Sequence, residues 1–287
     1  MKLEILDHIS DPGHKDKPND DALVFTDQMA AVLDGATGLA EFPIFPGEVS
    51  DAAWLSRFAA PMLGRLEGDF SEMVQGINRA VRDEVAACTD IAALPRYAWP
   101  TCSFEMVRIR GNRLEIGGLG DCVAYLALAG KSEVIRHSGL EAFRTGETAA
   151  ARQMLATAGG LGPDGSIVRS GAALAKLRQA RNLSNTVQSG VWTLGLVEEA
   201  ADHVKVMEAE VRPGDMFLLM SDGFSALSEA YGCHTQTGLL QAAQEPGLAA
   251  LLRELREVER VLDPDGQQFP RFKRSDDATA ILGQIAD

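Results

Sequence analysis

Positive charge, paired cysteines and long apolar runs are what this chain of 287 residues has least of. Lys and Arg number 27 against 41 Asp and Glu, a formal net charge of −14. A surface field of that sign repels phosphate backbones and anionic lipid, so neither nucleic acid nor a membrane is an expected partner. The cysteines, Cys88, Cys102, Cys122 and Cys233, include no Cys-x-x-Cys pair. That argues against a zinc site and supplies no disulfide framework, so reduced and mostly buried thiols are expected. No apolar run reaches the roughly 18 residues of a membrane span, and Met1-Lys2-Leu3-Glu4-Ile5-Leu6-Asp7-His8 lacks the basic-then-apolar layout of a signal peptide. A cytoplasmic protein, read as a monomer, is the expectation.

What is present is enough apolar material for a substantial core, 46% of residues, in short runs of changing period. Lys2 to Ile9 alternates as a strand does, and Pro12 to Pro18 is a loop. From Glu48 to Met62 apolar residues recur at helical spacing, with Ser50 placed to cap, and a second helix starts near Asp69 or Ser71 and buries Met73, Val74, Ile77, Val81 and Val85. Strand-like runs follow at Thr101 to Arg110, Arg113 to Gly117, Cys122 to Leu128 and Ser132 to Arg136, read as one antiparallel meander beneath the helices. From Gly139 to about Gly190 the apolar pattern weakens around helical pieces near Glu147 to Ala158 and Gly171 to Asn182, which reads as an insertion lying over the sheet edge. Strand signals resume at His203 to Glu210. Met216 to Met220 is apolar on both faces, as a strand buried between layers is. Helical spacing returns from Gly247 to Val261, and Asp276 to Leu282 closes the chain as another buried strand.

The stretch Asn19 to Gly35 organises the rest. Two apolar runs flank Asp27-Gln28, which reads as a hairpin loop. With those two residues as the loop, Thr26 pairs with Met29, Ala22 with Leu33, and Asp21 lies opposite Asp34. Directly opposed like charges destabilise a sheet, with Cβ atoms only about 5 Å apart. A cation between them reverses the sign. Hard divalent ions such as Mg²⁺ and Mn²⁺ suit a set built only from Asp, and Gly35 lets its own backbone approach a ligand. Taken alone, Asp34-Gly35 reads equally well as an ordinary turn after a strand. Acids recur, however, at other strand ends: Asp222 after the buried strand, Asp276 and Asp277 before the last one, and Asp121 beside two glycines. Arg and Lys are sparse in sequence beside Asp34 and Asp222, which favours metal over salt bridges.

Five short motifs in this order, Asn19-Asp20-Asp21-Ala22, Asp34-Gly35, Gly120-Asp121-Cys122, Pro213-Gly214-Asp215 with Ser221-Asp222-Gly223, and Asp276-Asp277-Ala278-Thr279, span almost the whole chain. Together they resemble the metal-dependent protein serine/threonine phosphatases of the PPM, or type-2C, family, in a bacterial-type member. The resemblance implies an α+β fold, a four-layer α-β-β-α sandwich of two antiparallel sheets, as a single domain over 1–287 with a flap at about 139–190. It implies two Mg²⁺ or Mn²⁺ ions about 4 Å apart, whose bridging water becomes a hydroxide that attacks phosphoserine or phosphothreonine. Asp34 would bridge the ions, Gly35 and Asp21, with Asp20 nearby, would complete one site and Asp222 and Asp276 the other, and Asp121 would support a third, weaker ion. Asp34 and Asp222 carry the catalytic role in this reading.

The departures are specific. Ala36 stands where many members have a histidine after Asp-Gly, Cys122 replaces a serine and Asp277 an asparagine. The arginine that usually precedes the acidic pair is absent; Asp16 falls near that place, flanked by Lys15 and Lys17, either of which could meet a phosphate as a point charge, less well than a guanidinium. A phosphatase-like regulatory binding module and a hydrolase of small phosphorylated metabolites therefore stand beside the phosphoprotein phosphatase.

Overall fold

The computed structural model describes residues 1–140, 144–167 and 171–287. Its strands are β1 (Lys2–Asp11), β2 (Asp21–Phe25), β3 (Met29–Gly35), β4 (Cys102–Arg110), β5 (Arg113–Leu119), β6 (Val123–Ala127), β7 (Val134–Ser138), β8 (Lys205–Glu210), β9 (Met216–Met220) and β10 (Ala278–Ala286). The α-helices are α1 (Asp51–Leu63), α2 (Phe70–Cys88), α3 (Arg144–Ala158), α4 (Gly171–Asn182), α5 (Asp222–Glu229), α6 (Gln236–Ala242) and α7 (Leu248–Glu257). Two five-stranded antiparallel sheets result, one ordered β1-β10-β9-β6-β7 and the other β2-β3-β4-β5-β8.

Strand parity builds the layers. In β3, Met29, Ala31 and Leu33 face α1 and α2, whereas Ala30 and Val32 face the other sheet. In β9, Phe217 and Leu219 point into the seam between the sheets, while Leu218 and Met220 point out to α5, α6 and α7. Both faces of these strands are therefore buried, which is why the sequence shows continuous apolar runs rather than alternation. Ser50 caps α1 by accepting from the Ala53 amide at 3.2 Å, and Asp69 and Glu72 form a reciprocal capping box on α2. These are the two helix starts that the sequence marks. The architecture is the expected α-β-β-α sandwich.

Three expectations need correction. The runs from Thr101 to Arg136 are not one meander: β4-β5 lies in one sheet and β6-β7 in the other, and the chain crosses between layers at Gly120-Asp121-Cys122. Period-2 patterning says which strands are buried, not which sheet they join. The short helices α5 and α6 were not foreseen, because a helix of two turns offers too few apolar repeats to show a period. Of the four free cysteines only Cys102 and Cys122 are buried; Cys88 and Cys233 are exposed.

The insertion has its own small core of Met154, Ile167 and Ala173. Positions 141–143 and 168–170 within it lie outside the described residues. Rather than resting only on a sheet edge, α4 reaches the loop after β3: Arg178 donates to the Leu39 carbonyl at 3.0 and 3.1 Å, and Arg181 to that of Ala36 at 3.3 Å. Among the described residues no helix is long and apolar enough to cross a membrane.

One polar pair crosses the seam. Glu105 of β4 is fully buried and hydrogen-bonds His137 of β7 through Oε1, while its Oε2 has no partner. Burial pushes the Glu105 carboxyl up, and the His137 contact opposes that. Removing one partner of such a pair is costly because the other is left buried and unsatisfied. We expect His137→Ala to lower unfolding free energy by about 3 kcal/mol, read by chemical denaturation. A loss below about 1 kcal/mol would show that the pair does not clamp the sheets.

Candidate active site

The β2-β3 hairpin has the register read from its two-residue loop. The Thr26 amide donates to the Met29 carbonyl at 2.8 Å, and Asp21 pairs with Asp34 and Ala22 with Leu33. Since Leu33 faces the helices, Asp34 turns into the seam, at its open end. Its register partner on β4 is Ser103, whose hydroxyl donates to Asp121 Oδ1 at 2.7 Å. Asp222, in the first turn of α5, lies near enough to Asp34 for its charge to raise the Asp34 carboxyl. Asp277, just ahead of β10, accepts from the Gly13 amide at 2.9 Å and the Asp20 amide at 2.7 Å. The Asp20 carboxylate in turn accepts from the Ser50 hydroxyl at 2.5 Å. Acids scattered from position 20 to 277 thus meet at one end of the sandwich.

Two glycines permit the approach. A Cβ on Gly35 would meet the carbonyl oxygens of Asp20 and Ala52 at 2.6 and 2.7 Å, and one on Gly223 would meet the Asp277 carbonyl oxygen at 2.0 Å. Any side chain at either position would push the acid-bearing segments apart.

Burial and mutual repulsion set the electrostatics. The Asp34 carboxyl is held well above the ordinary carboxylate range by burial first, then by Asp21, Asp222 and Asp121. Asp21 is raised by burial and then by Asp277; the Thr279 and Ser221 hydroxyls nearby oppose this. Neither Asp21 oxygen has a hydrogen-bond partner that meets ordinary geometry, although both are buried. Cys102 and Cys122 are pushed up by burial and by these same acids, so neither is a thiolate nucleophile.

Part of this set has the donor chemistry that a hard cation prefers. Asp21 has two buried orphan oxygens, Asp34 and Asp222 crowd each other, and Gly35 is a bare-backbone neighbour; all are oxygen donors suited to Mg²⁺ or Mn²⁺. Other acids of the cluster have identified partners. Asp121 has Ser103, Asp20 has Ser50, and Asp276 accepts from Lys273 and from the Asp277 amide. Among the described residues, no three His, Cys, Asp or Glu side chains are arranged to hold a metal ion.

Lys273 is the residue that sequence reasoning missed. It pairs with Asp276, and although burial opposes its charge, the carboxylates of Asp276, Asp277 and Asp34 hold its pKa above the ordinary lysine value. Arg and Lys are sparse in sequence beside Asp34, yet the fold brings the charge of Lys273 within its influence; the local signal was a lysine three residues ahead of Asp276. The lysines proposed for phosphate behave differently. Lys17 binds Asp164 of the flap at 2.9 Å and Ser166 at 3.1 Å, and that contact lowers the Asp164 carboxyl to about 2. Lys15 lines, with Lys17, Asp20, Lys273 and Arg274, a cavity of about 910 Å³ between the acids and the flap.

No protein-family model matches the chain, and no curated protein matches it by sequence. Solved structures do. The serine/threonine phosphatase PstP/Ppp of Mycobacterium tuberculosis superposes with a TM-score of 0.57 at 20% identity, covering 100% of both chains. The PstP catalytic domain in complex with 2 manganese ions gives 0.55 at 20% identity over 100% of this chain and 99% of that one. The serine/threonine phosphatase Stp1 of Staphylococcus aureus gives 0.56 at 16% identity over 100% and 98%. This chain has the fold of the bacterial PPM-type serine/threonine phosphatases.

A pH dependence follows. Because the folded pKa values of Asp21 and Asp34 are raised, the stability drawn from their protonated forms is complete below the unfolded carboxylate value of about 4 and is lost as pH rises through the folded values. In chelator, Asp21→Asn should melt higher than wild type at about pH 8, and the difference should close toward about pH 4. Equal melting temperatures in chelator at the higher pH would contradict an unneutralised buried charge at Asp21.

Proposed function

We propose that the chain is a phosphatase for phosphoserine and phosphothreonine that works with Mg²⁺ or Mn²⁺ held by Asp21, Asp34, Gly35 and Asp222. The observation that supports this most is the convergence of Asp21, Asp34 and Asp222 on one buried end of the sheet seam, with both Asp21 oxygens unpartnered, in a chain with the serine/threonine phosphatase fold. When bound, divalent cation supplies the charge that neutralises phosphoryl oxygens and makes water acidic enough to react near neutral pH. The chain supplies the rest. The seam and α5 hold the acids in a water-poor setting where charge interactions are strong. The cavity of about 910 Å³ offers room for a phosphorylated side chain with flanking residues, and Lys15 at its rim brings positive charge toward the phosphate.

A second reading, a regulatory binding module that takes phosphorylated ligands without turning them over, is favoured by two features. Asp276 is held by Lys273, and the segment ahead of the acidic pair carries Asp16 and no arginine.

Purified protein should hydrolyse an aryl phosphate and phosphothreonine peptides in Mn²⁺, with Asp222→Asn reducing the rate at least about 100-fold, the scale of losing a charge-organising group. Activity that survives this substitution would exclude the centre as the seat of catalysis. Manganese binding with no turnover on any phosphopeptide or small phosphoester would favour the binding module.

A further inference from the structure

We propose that Arg260 and Arg274 make one wall of the cavity of about 910 Å³ an anion-recognising surface, so that the chain selects phosphorylated segments with a second anionic group, a carboxylate or another phosphate, beside the phosphorylated residue. The inference rests on the reading of this cavity as the place where a phosphorylated side chain binds, and not on metal binding or turnover.

The cations that line the cavity divide by what already neutralises them. Lys17 is bound to Asp164 at 2.9 Å, and Lys273 is bound to Asp276. Lys273 is also the cation whose charge reaches Asp20 and Asp277 on the cavity floor. The two arginines are held differently. Arg260 donates through Nε to the Ser275 hydroxyl and through Nη2 to the Gly13 carbonyl, each at 3.2 Å, and Arg274 donates through Nε to the Pro264 carbonyl at 3.0 Å. Neutral oxygens orient a guanidinium without cancelling its charge, and among the described residues neither arginine forms an ion pair. The lining acids Asp16 and Glu41 are both exposed, where solvent and salt screen them.

The fold fixes both guanidiniums at this wall. Arg274 belongs to the segment bridged to the flap: its amide donates to the Gly165 carbonyl at 2.5 Å, and a Cβ on Gly165 would meet the Arg274 Cβ at 3.1 Å and its Cζ at 3.8 Å. The flap backbone therefore lies along the arginine stem and leaves the residue half-buried. Arg260, on the helical turn after α7, is exposed but tied to Ser275 and Gly13, which themselves line the cavity. A guanidinium oriented in advance loses less freedom on meeting an anion, and its planar fork takes two oxygens of a carboxylate or phosphate at once. A chain of net charge −14 repels an acidic segment on the whole, so two uncancelled arginines beside the place for the phosphate supply a local complementarity that the overall field lacks.

The test uses the full chain with Mn²⁺ present and peptides bearing a non-hydrolysable phosphonate analogue of phosphothreonine, with binding read by fluorescence anisotropy whether or not the chain turns substrate over. A peptide flanked by glutamates, or one carrying a second phosphonate residue, should bind at least about fivefold tighter than one flanked by glutamines, the scale of two partly exposed ion pairs. The peptide that gains identifies whether carboxylate or phosphate is the second anion. Substituting both Arg260→Gln and Arg274→Gln should bring the ratio to about one, whereas Arg260→Lys with Arg274→Lys should keep part of it, as a merely structural role would not. Equal binding of all three peptides by wild type, or a preference that the folded glutamine variant retains in full, would overturn the proposal. The wild-type ratio decides even if a variant fails to fold. Failure to bind any of the peptides would overturn it together with the reading of the cavity, while a flank preference in a chain that hydrolyses no phosphoester would sustain this inference and remove the enzymatic function.

Discussion

Repulsion among buried carboxylates at the open end of the seam is the constraint to which the surrounding structure answers. Hairpin register sets Asp21 against Asp34, a pairing that weakens a sheet on its own. The crossing at Asp121, the first turn of α5 and the approach to β10 then bring further acids to the same place. Each of the outer acids has been given a partner: Ser103 for Asp121, Ser50 for Asp20, two amides for Asp277 and Lys273 for Asp276. The inner ones are crowded against each other. A fold that keeps such a set in low dielectric departs from local stability at a place where chemistry is wanted.

The layers make that concentration possible. Because the central strands of each sheet bury both faces, much of the seam is dry, and a carboxylate buried at its end, as Asp21 is, loses most of its contact with water. Glu105 and His137 show the same physics deeper in the seam, where a buried imidazole joins the two sheets. The flap completes the arrangement from outside. Through Asp164 it engages Lys17, and through Ser166 it positions Lys273, so the insertion touches both the rim of the cavity and the charge balance of its floor.

Much of this was legible in the chain because it is local. Alternation exposed β1, continuous apolar runs exposed β6, β9 and β10, helical spacing with a capping residue exposed α1 and α2, and a two-residue loop specified that Asp21 faces Asp34. The order of the acidic motifs pointed to the sandwich and to acids that the fold gathers at one end of it. The illegible parts have physical reasons. Strand pattern carries no label for which sheet a hairpin joins, so β4-β5 and β6-β7 read as one meander. Helices as short as α5 and α6 show no period.

What the sequence determined by itself, then, is the set of elements, the two-residue hairpin register and the identity of the acids, since these depend on neighbours within a few positions. Only the tertiary structure decided which carboxylates are already satisfied and which are not. That depends on long-range placement, and most of all on Lys273, whose ammonium sits at the end of a flexible stem and is aimed at Asp276 only because its backbone is held by residues of a flap more than a hundred positions from the first acids.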